Sequence, residues 1–125
     1  MAKSLSFLTQ DAVLVTPEGT FKGSTEVQKY LTWVKQTTKD YKVTDTGIGI
    51  LAQGNTAVIE HNVAGTYNGM KWEVPAMCIY EFTGDKIQNM RSFRDRLAIA
   101  KQATKGWIPK MVVNSVVKGT VKGLH

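Results

Sequence analysis

WEVPAMCIYEFTGDKIQNMRSFRD, residues 72 to 95, reads as two long strands joined by a tight turn and closed by a carboxylate. Ala76, Cys78, Tyr80 and Phe82 fall on one face of the first strand, and Thr83-Gly84-Asp85 supplies the turn. On the returning strand Arg91, Phe93 and Asp95 share one face, and Met90, Ser92 and Arg94 share the other. Asp95 has two readings. It stands on an aromatic face where a strand ends, a place for acid/base chemistry, and it also precedes the periodic run Arg96 to Ala100 as a helix N-cap would.

Upstream, residues 41 to 52 and 56 to 67 have strand character and are separated by Gln53-Gly54-Asn55. Asn68-Gly69 is the dipeptide most suited to a two-residue hairpin loop. Ser24 or Thr25 suits an N-cap, and Val27, Tyr30, Leu31 and Val34 recur at helical spacing, which predicts an amphipathic helix over residues 25 to 37. Ala12 to Thr16 and Thr20 to Lys22 form a short hairpin about Pro17-Glu18-Gly19, and the first ten residues have room for a short helix. Pro75 cannot donate to a ladder, so an edge position or a bulge is expected there. The glycines of Thr46-Gly47-Ile48-Gly49 follow no strand-to-helix turn and are read as strand bending, not as a nucleotide loop. The fold class is α+β: a curved antiparallel sheet bent into a cone and closed by helices.

The chain has 125 residues, enough for one domain with a core. No run approaches the roughly 18 apolar residues of a membrane span, and the N-terminus has no cleavage pattern, so a cytoplasmic protein is expected. The single cysteine, Cys78, is read as a buried thiol. Residues 1 to 95 carry ten basic and ten acidic side chains, whereas residues 96 to 125 carry six basic and none acidic. The formal charge of +6 therefore belongs to the C-terminal part.

The order of elements, together with YEFTGDKIQNMRSFRD and DAVLVTPEGTFKG, resembles the NTF2-like superfamily, and more narrowly its SnoaL-like and limonene-epoxide-hydrolase-like branches. The resemblance spans roughly residues 7 to 100, and its most specific part is the alternation of Arg91, Phe93 and Asp95. It implies a cone around an apolar pocket, dimerisation through the sheet, and Asp95 as acid/base. Epoxide-hydrolase members carry an Arg-x-Asp pair where this chain reads Ile59-Glu60-His61-Asn62-Val63, so that mechanism is disfavoured. Members also begin with a lid helix of about six turns, for which this chain has too little room.

The candidate catalytic set is Asp95 with His61 and Arg91, and the candidate ligand-binding set is Tyr30, Trp33, Ile59, Tyr80 and Phe93. Each has a plainer alternative. Arg91 can pair with Asp95 structurally, and Tyr30 and Trp33 can be core. No metal site, cofactor or nucleic-acid motif is expected. Two functions remain open: a cofactor-free acid/base enzyme on a small hydrophobic carbonyl compound, or a non-catalytic ligand-binding or dimerisation module. A homodimer is expected in either case.

The chain divides into a domain over residues 1 to 105 and a basic amphipathic helix over 106 to 125. In that helix Val112, Val113, Val116, Val117, Val121 and Leu124 gather on one side and Lys110, Asn114, Lys118 and Lys122 on the other. It is expected to pack on its own cone or its partner's, with an anionic membrane surface or a partner protein the less favoured contact.

Overall fold

The computed structural model describes residues 5 to 123. Strands β1 (Leu8–Thr16) and β2 (Gly19–Lys22) lead into helix α1 (Gly23–Thr37). The long strands β3 (Lys39–Gln53), β4 (Thr56–Tyr67), β5 (Met70–Thr83) and β6 (Lys86–Arg94) follow, then α2 (Arg96–Ala103) and α3 (Trp107–Thr120). All six strands form one sheet in the order β2-β1-β6-β5-β4-β3. β3 to β6 are an antiparallel meander, as expected, and β1 joins it parallel to β6.

The turns follow from local chemistry. Asn68 and Gly69 both take positive φ, 50° and 78°, which is what a two-residue hairpin between twisted strands demands. In β3 the register to β4 shifts between Asp45 and Ile50, with Gly47 and Gly49 at φ 90° and 80° inside the shift. These glycines bend the strand, as their sequence suggested.

Two local expectations are corrected. β1 starts at Leu8 and not at Ala12, because Leu8 already pairs with Ile87 and the Ile87 N–H donates to the Phe7 carbonyl at 2.8 Å. Of the short N-terminal helix only Leu5 and Ser6 fall among the described residues, and residues 1 to 4 lie outside them. Neither Ser24 nor Thr25 caps α1: the helix begins earlier, and Glu26 reaches back to accept from the Lys22 N–H at 2.6 Å.

Pro75 lies within β5, a strand with neighbours on both sides, opposite Asn62 and without a register shift to β4. β6 ends at Arg94, opposite Ala76, so from Pro75 towards its N-terminal end β5 is open on that side. α2 covers this local edge. The Gln102 side-chain amide accepts from the Glu73 N–H at 2.8 Å and donates to the Glu73 carbonyl at 3.0 Å, standing in for a missing strand.

Two cores result. Val63, Trp72, Val74, Ala76 and Ala103 pack under α2, and Leu14, Val27 and Tyr30 pack under α1. Gly65 faces Trp72 across β4 and β5, where an added Cβ would come within 2.8 Å of the indole. α3 packs against α2 with Val113 and Val117 half-buried, and none of its residues is buried. Leu124 lies outside the described residues.

Candidate functional site

Between the two cores the concave face of the sheet encloses a cavity of about 1270 Å³. Its walls include Val13 and Leu14 of β1, Tyr30 and Trp33 of α1, Tyr41 and Ile50 of β3, Ile59 and His61 of β4, and Cys78 and Tyr80 of β5. From β6 come Ile87, Met90, Ser92 and Arg94.

A single extra residue decides which side of β6 faces inward. Next to the turn Thr83 pairs with Lys86 and Phe82 with Ile87, but Glu81 then pairs with Asn89, leaving Gln88 unpaired as a β-bulge. Beyond it Tyr80 faces Met90, Cys78 faces Ser92 and Ala76 faces Arg94. A slip of one residue exchanges the two faces of a strand. The Thr9 hydroxyl of β1 donates to the Gln88 side-chain carbonyl at 3.0 Å and fixes the bulge.

The expected inward face of β6 is therefore corrected. Phe93 lies opposite Met77 on the convex side, 49% exposed. Arg91 is on that side too, paired with Glu81 at 3.2 Å and not with Asp95. Asp95 is exposed and caps α2, its carboxylate accepting from the Ala98 N–H at 3.0 Å. Neither Arg91, Phe93 nor Asp95 lines the cavity, whereas His61, Tyr30, Trp33, Ile59 and Tyr80 do.

The register sets the polar groups of the concave face in a row. Asp45 is opposite His61, His61 is opposite Ala76, and Ala76 is opposite Arg94. The His61 and Arg94 backbones thus stand about 10 Å apart, two strand spacings, with only a methyl between them. Arg94 forms an ion pair with Glu18, which the β1–β2 turn projects inward. The Tyr30 hydroxyl completes the group: it accepts from Arg94 at 3.3 Å and donates to Glu18 at 3.2 Å.

Burial alone would raise the Glu18 pKa, but the Arg94 charge, the Thr16 hydroxyl, its own backbone N–H and the Tyr30 hydroxyl outweigh it, and the carboxyl is held below its usual range. Both side chains of the pair are 15% exposed, so this is a mostly desolvated ion pair stapling the turn to the end of β6. Next to it Cys78 is buried, with Sγ 4.0 Å from His61 Nε2 and 3.6 Å from the Ser92 hydroxyl. Burial, followed by the neighbouring thiol, pushes the Tyr80 hydroxyl far above its usual range, so it stays a neutral donor. The wall can therefore offer a fixed cation with its counter-ion, an imidazole, and several neutral hydroxyls to one bound molecule.

Glu18 and Arg94 are the residues that sequence reasoning missed. Glu18 reads as part of a turn, and Arg94 reads as the outward face of β6 until the bulge is counted.

A family model described as SnoaL-like domain matches residues 1 to 90. The search of curated proteins gave no match. Among solved structures, an NTF2-like protein of unknown function from Burkholderia pseudomallei superposes with a TM-score of 0.75 at 16% identity, covering 83% of this chain and 85% of the other. A protein provisionally named a polyketide cyclase from Silicibacter sp. gives 0.72 at 18% identity, covering 81% of each chain. TerC, co-crystallised with polyporic acid, gives 0.70 at 18% identity, with 78% of this chain and 81% of the other covered. At these identities the structures speak for the fold. With the family match running over most of the sheet and through the start of β6, the chain belongs to the SnoaL-like family.

Proposed function

We propose that the cavity binds a small, mostly apolar carbonyl compound and that the protein acts on it without a cofactor, moving a proton next to the carbonyl as an isomerase or cyclase does. The observation that carries this reading is the row of His61 and Arg94 on an otherwise largely apolar wall. A carbonyl whose oxygen meets Arg94 would place the adjacent carbon over Ala76, towards His61. His61 takes the proton as general base, and the oxyanion that develops is held by the guanidinium. Glu18 keeps Arg94 in place. The co-crystal of TerC with polyporic acid and the polyketide-cyclase name of another neighbour support a ligand of this class.

The test is exchange of ketone α-protons for deuterium, followed by NMR over a panel of aromatic ketones that bind. The parent protein should catalyse exchange above buffer, and His61→Gln should lower the rate by about a hundredfold while leaving binding within a few fold. Equal rates in parent and variant would remove His61 from the mechanism.

One observation favours a second reading, a non-catalytic ligand-binding module: Arg94 is already engaged by Glu18 and Tyr30. On that reading the panel binds and no member exchanges. In either case we propose a homodimer formed through the convex face, where Met77 and Phe93 stand opposite each other, 43% and 49% exposed. Phe93→Glu should then shift the sedimentation coefficient to that of a monomer.

A further inference from the structure

We propose that α3 docks on an anionic membrane surface and holds the mouth of the cavity against it. Ile108, Val112 and Val116, at helical spacings of four, form an apolar stripe in which each side chain is more than half exposed. Met111 and Trp107 extend it, Trp107 being 73% exposed beside the Gly106 joint. Val113 and Val117 face the body, so the stripe points away from it. On the remaining side of the helix stand Lys110 and Lys118, in a segment whose sequence has no acidic residue, and Lys122 follows just after it.

The charge names the occupant. Residues 96 to 125 hold six basic side chains and no acid, while the rest of the chain is balanced. A second copy of α3 laid on the stripe would bring two all-basic segments within a Debye length of each other, which opposes self-pairing. Apart from the Trp107 indole N–H, the stripe offers aliphatic and thioether surface, with little by which a protein partner would be read. An apolar face, a lysine series and an interfacial tryptophan are together what an anionic bilayer surface receives. No helix among the described residues is long and apolar enough to cross a membrane, so α3 lies along the surface.

The cavity reaches this helix. Lys105 and Pro109 line it together with Trp33, Tyr41 and Tyr67, all three aromatics about half exposed. Docking α3 would turn those rings toward the lipid headgroups, and an apolar ligand could pass between bilayer and cavity without crossing water.

The experiment is co-sedimentation of the full chain with phosphatidylcholine vesicles and with vesicles containing about one third phosphatidylglycerol. The expected result is at least about tenfold tighter binding to the anionic vesicles, weakened as salt is raised. The combined Lys110→Gln, Lys118→Gln and Lys122→Gln variant should lose that preference. The combined Ile108→Ser, Val112→Ser and Val116→Ser variant should lose binding altogether, with an unchanged thermal transition of the body, since α3 has no buried residue. Three results would overturn the proposal: equal affinity for both vesicles, a lysine variant that binds like the parent, or a concentration-dependent dimer in solution that the serine substitutions abolish.

Discussion

Glu18 and Arg94 stand where neither charge would be stable alone, since each loses most of its water on folding and recovers that cost from the other. Glu18→Gln leaves a desolvated guanidinium with only neutral partners, and we expect a loss of about 2 kcal/mol of stability in urea denaturation. The sign of the pH dependence follows from the depressed carboxyl. The contribution of Glu18 is full above its ordinary value of 4.5 and fades as the pH falls through the lower folded value, so the parent should lose stability with acid more steeply than the variant does. Asp95, one residue beyond Arg94, has a different role. Asp95→Ala removes a helix cap and should cost about 1 kcal/mol while leaving ligand affinity unchanged. Its position before a helical run announced the cap, and its alternation with Phe93 and Arg91 announced chemistry; only the cap has a geometric counterpart.

At the scale of elements the bulge at Gln88 has the largest effect. It carries no signal in the alternation of β6, because a pattern with period two looks the same from either face. Deleting Gln88 would remove the bulge and leave the pairs Asn89–Glu81, Met90–Tyr80, Ser92–Cys78 and Arg94–Ala76 as they are, so Met90, Ser92 and Arg94 should stay on the concave side. We expect the deletion to cost about 1 kcal/mol, read in the denaturation midpoint, because the Thr9–Gln88 hydrogen bond is lost while the Glu18–Arg94 pair is kept. The open stretch of β5 depends on Gln102 in a similar way. Gln102→Ala leaves both the N–H and the carbonyl of Glu73 without that partner, and a loss of about 1 kcal/mol is expected, with faster amide exchange at Glu73. Elements themselves were legible: Asn68-Gly69, the paired glycines of β3 and the spacing of Val27 and Tyr30 each point one way. Pro75 likewise pointed to an edge, which here is a few residues long and not a whole strand.

For the whole molecule, the α+β architecture and the concave placement of Ile59, His61 and Tyr80 could be read in advance, since alternation within one strand needs no partner. The site needed contacts between distant segments. Glu18 and Arg94 are separated by most of the domain in sequence, and nothing local to either predicts their pairing. The same holds for α3, whose stripe and lysines are evident in the sequence while the surface they leave uncovered is evident only once the body is folded. If the Met90, Ser92 and Arg94 face of β6 forms the ligand wall, two methionines report on it directly. Met90 lines the cavity and Met77 stands on the convex side of the same sheet. With methionine methyl groups labelled with carbon-13, titration of an aromatic ketone should shift the Met90 signal through the ring current and leave Met77 in place. A shift at Met77 with Met90 unmoved would contradict the account.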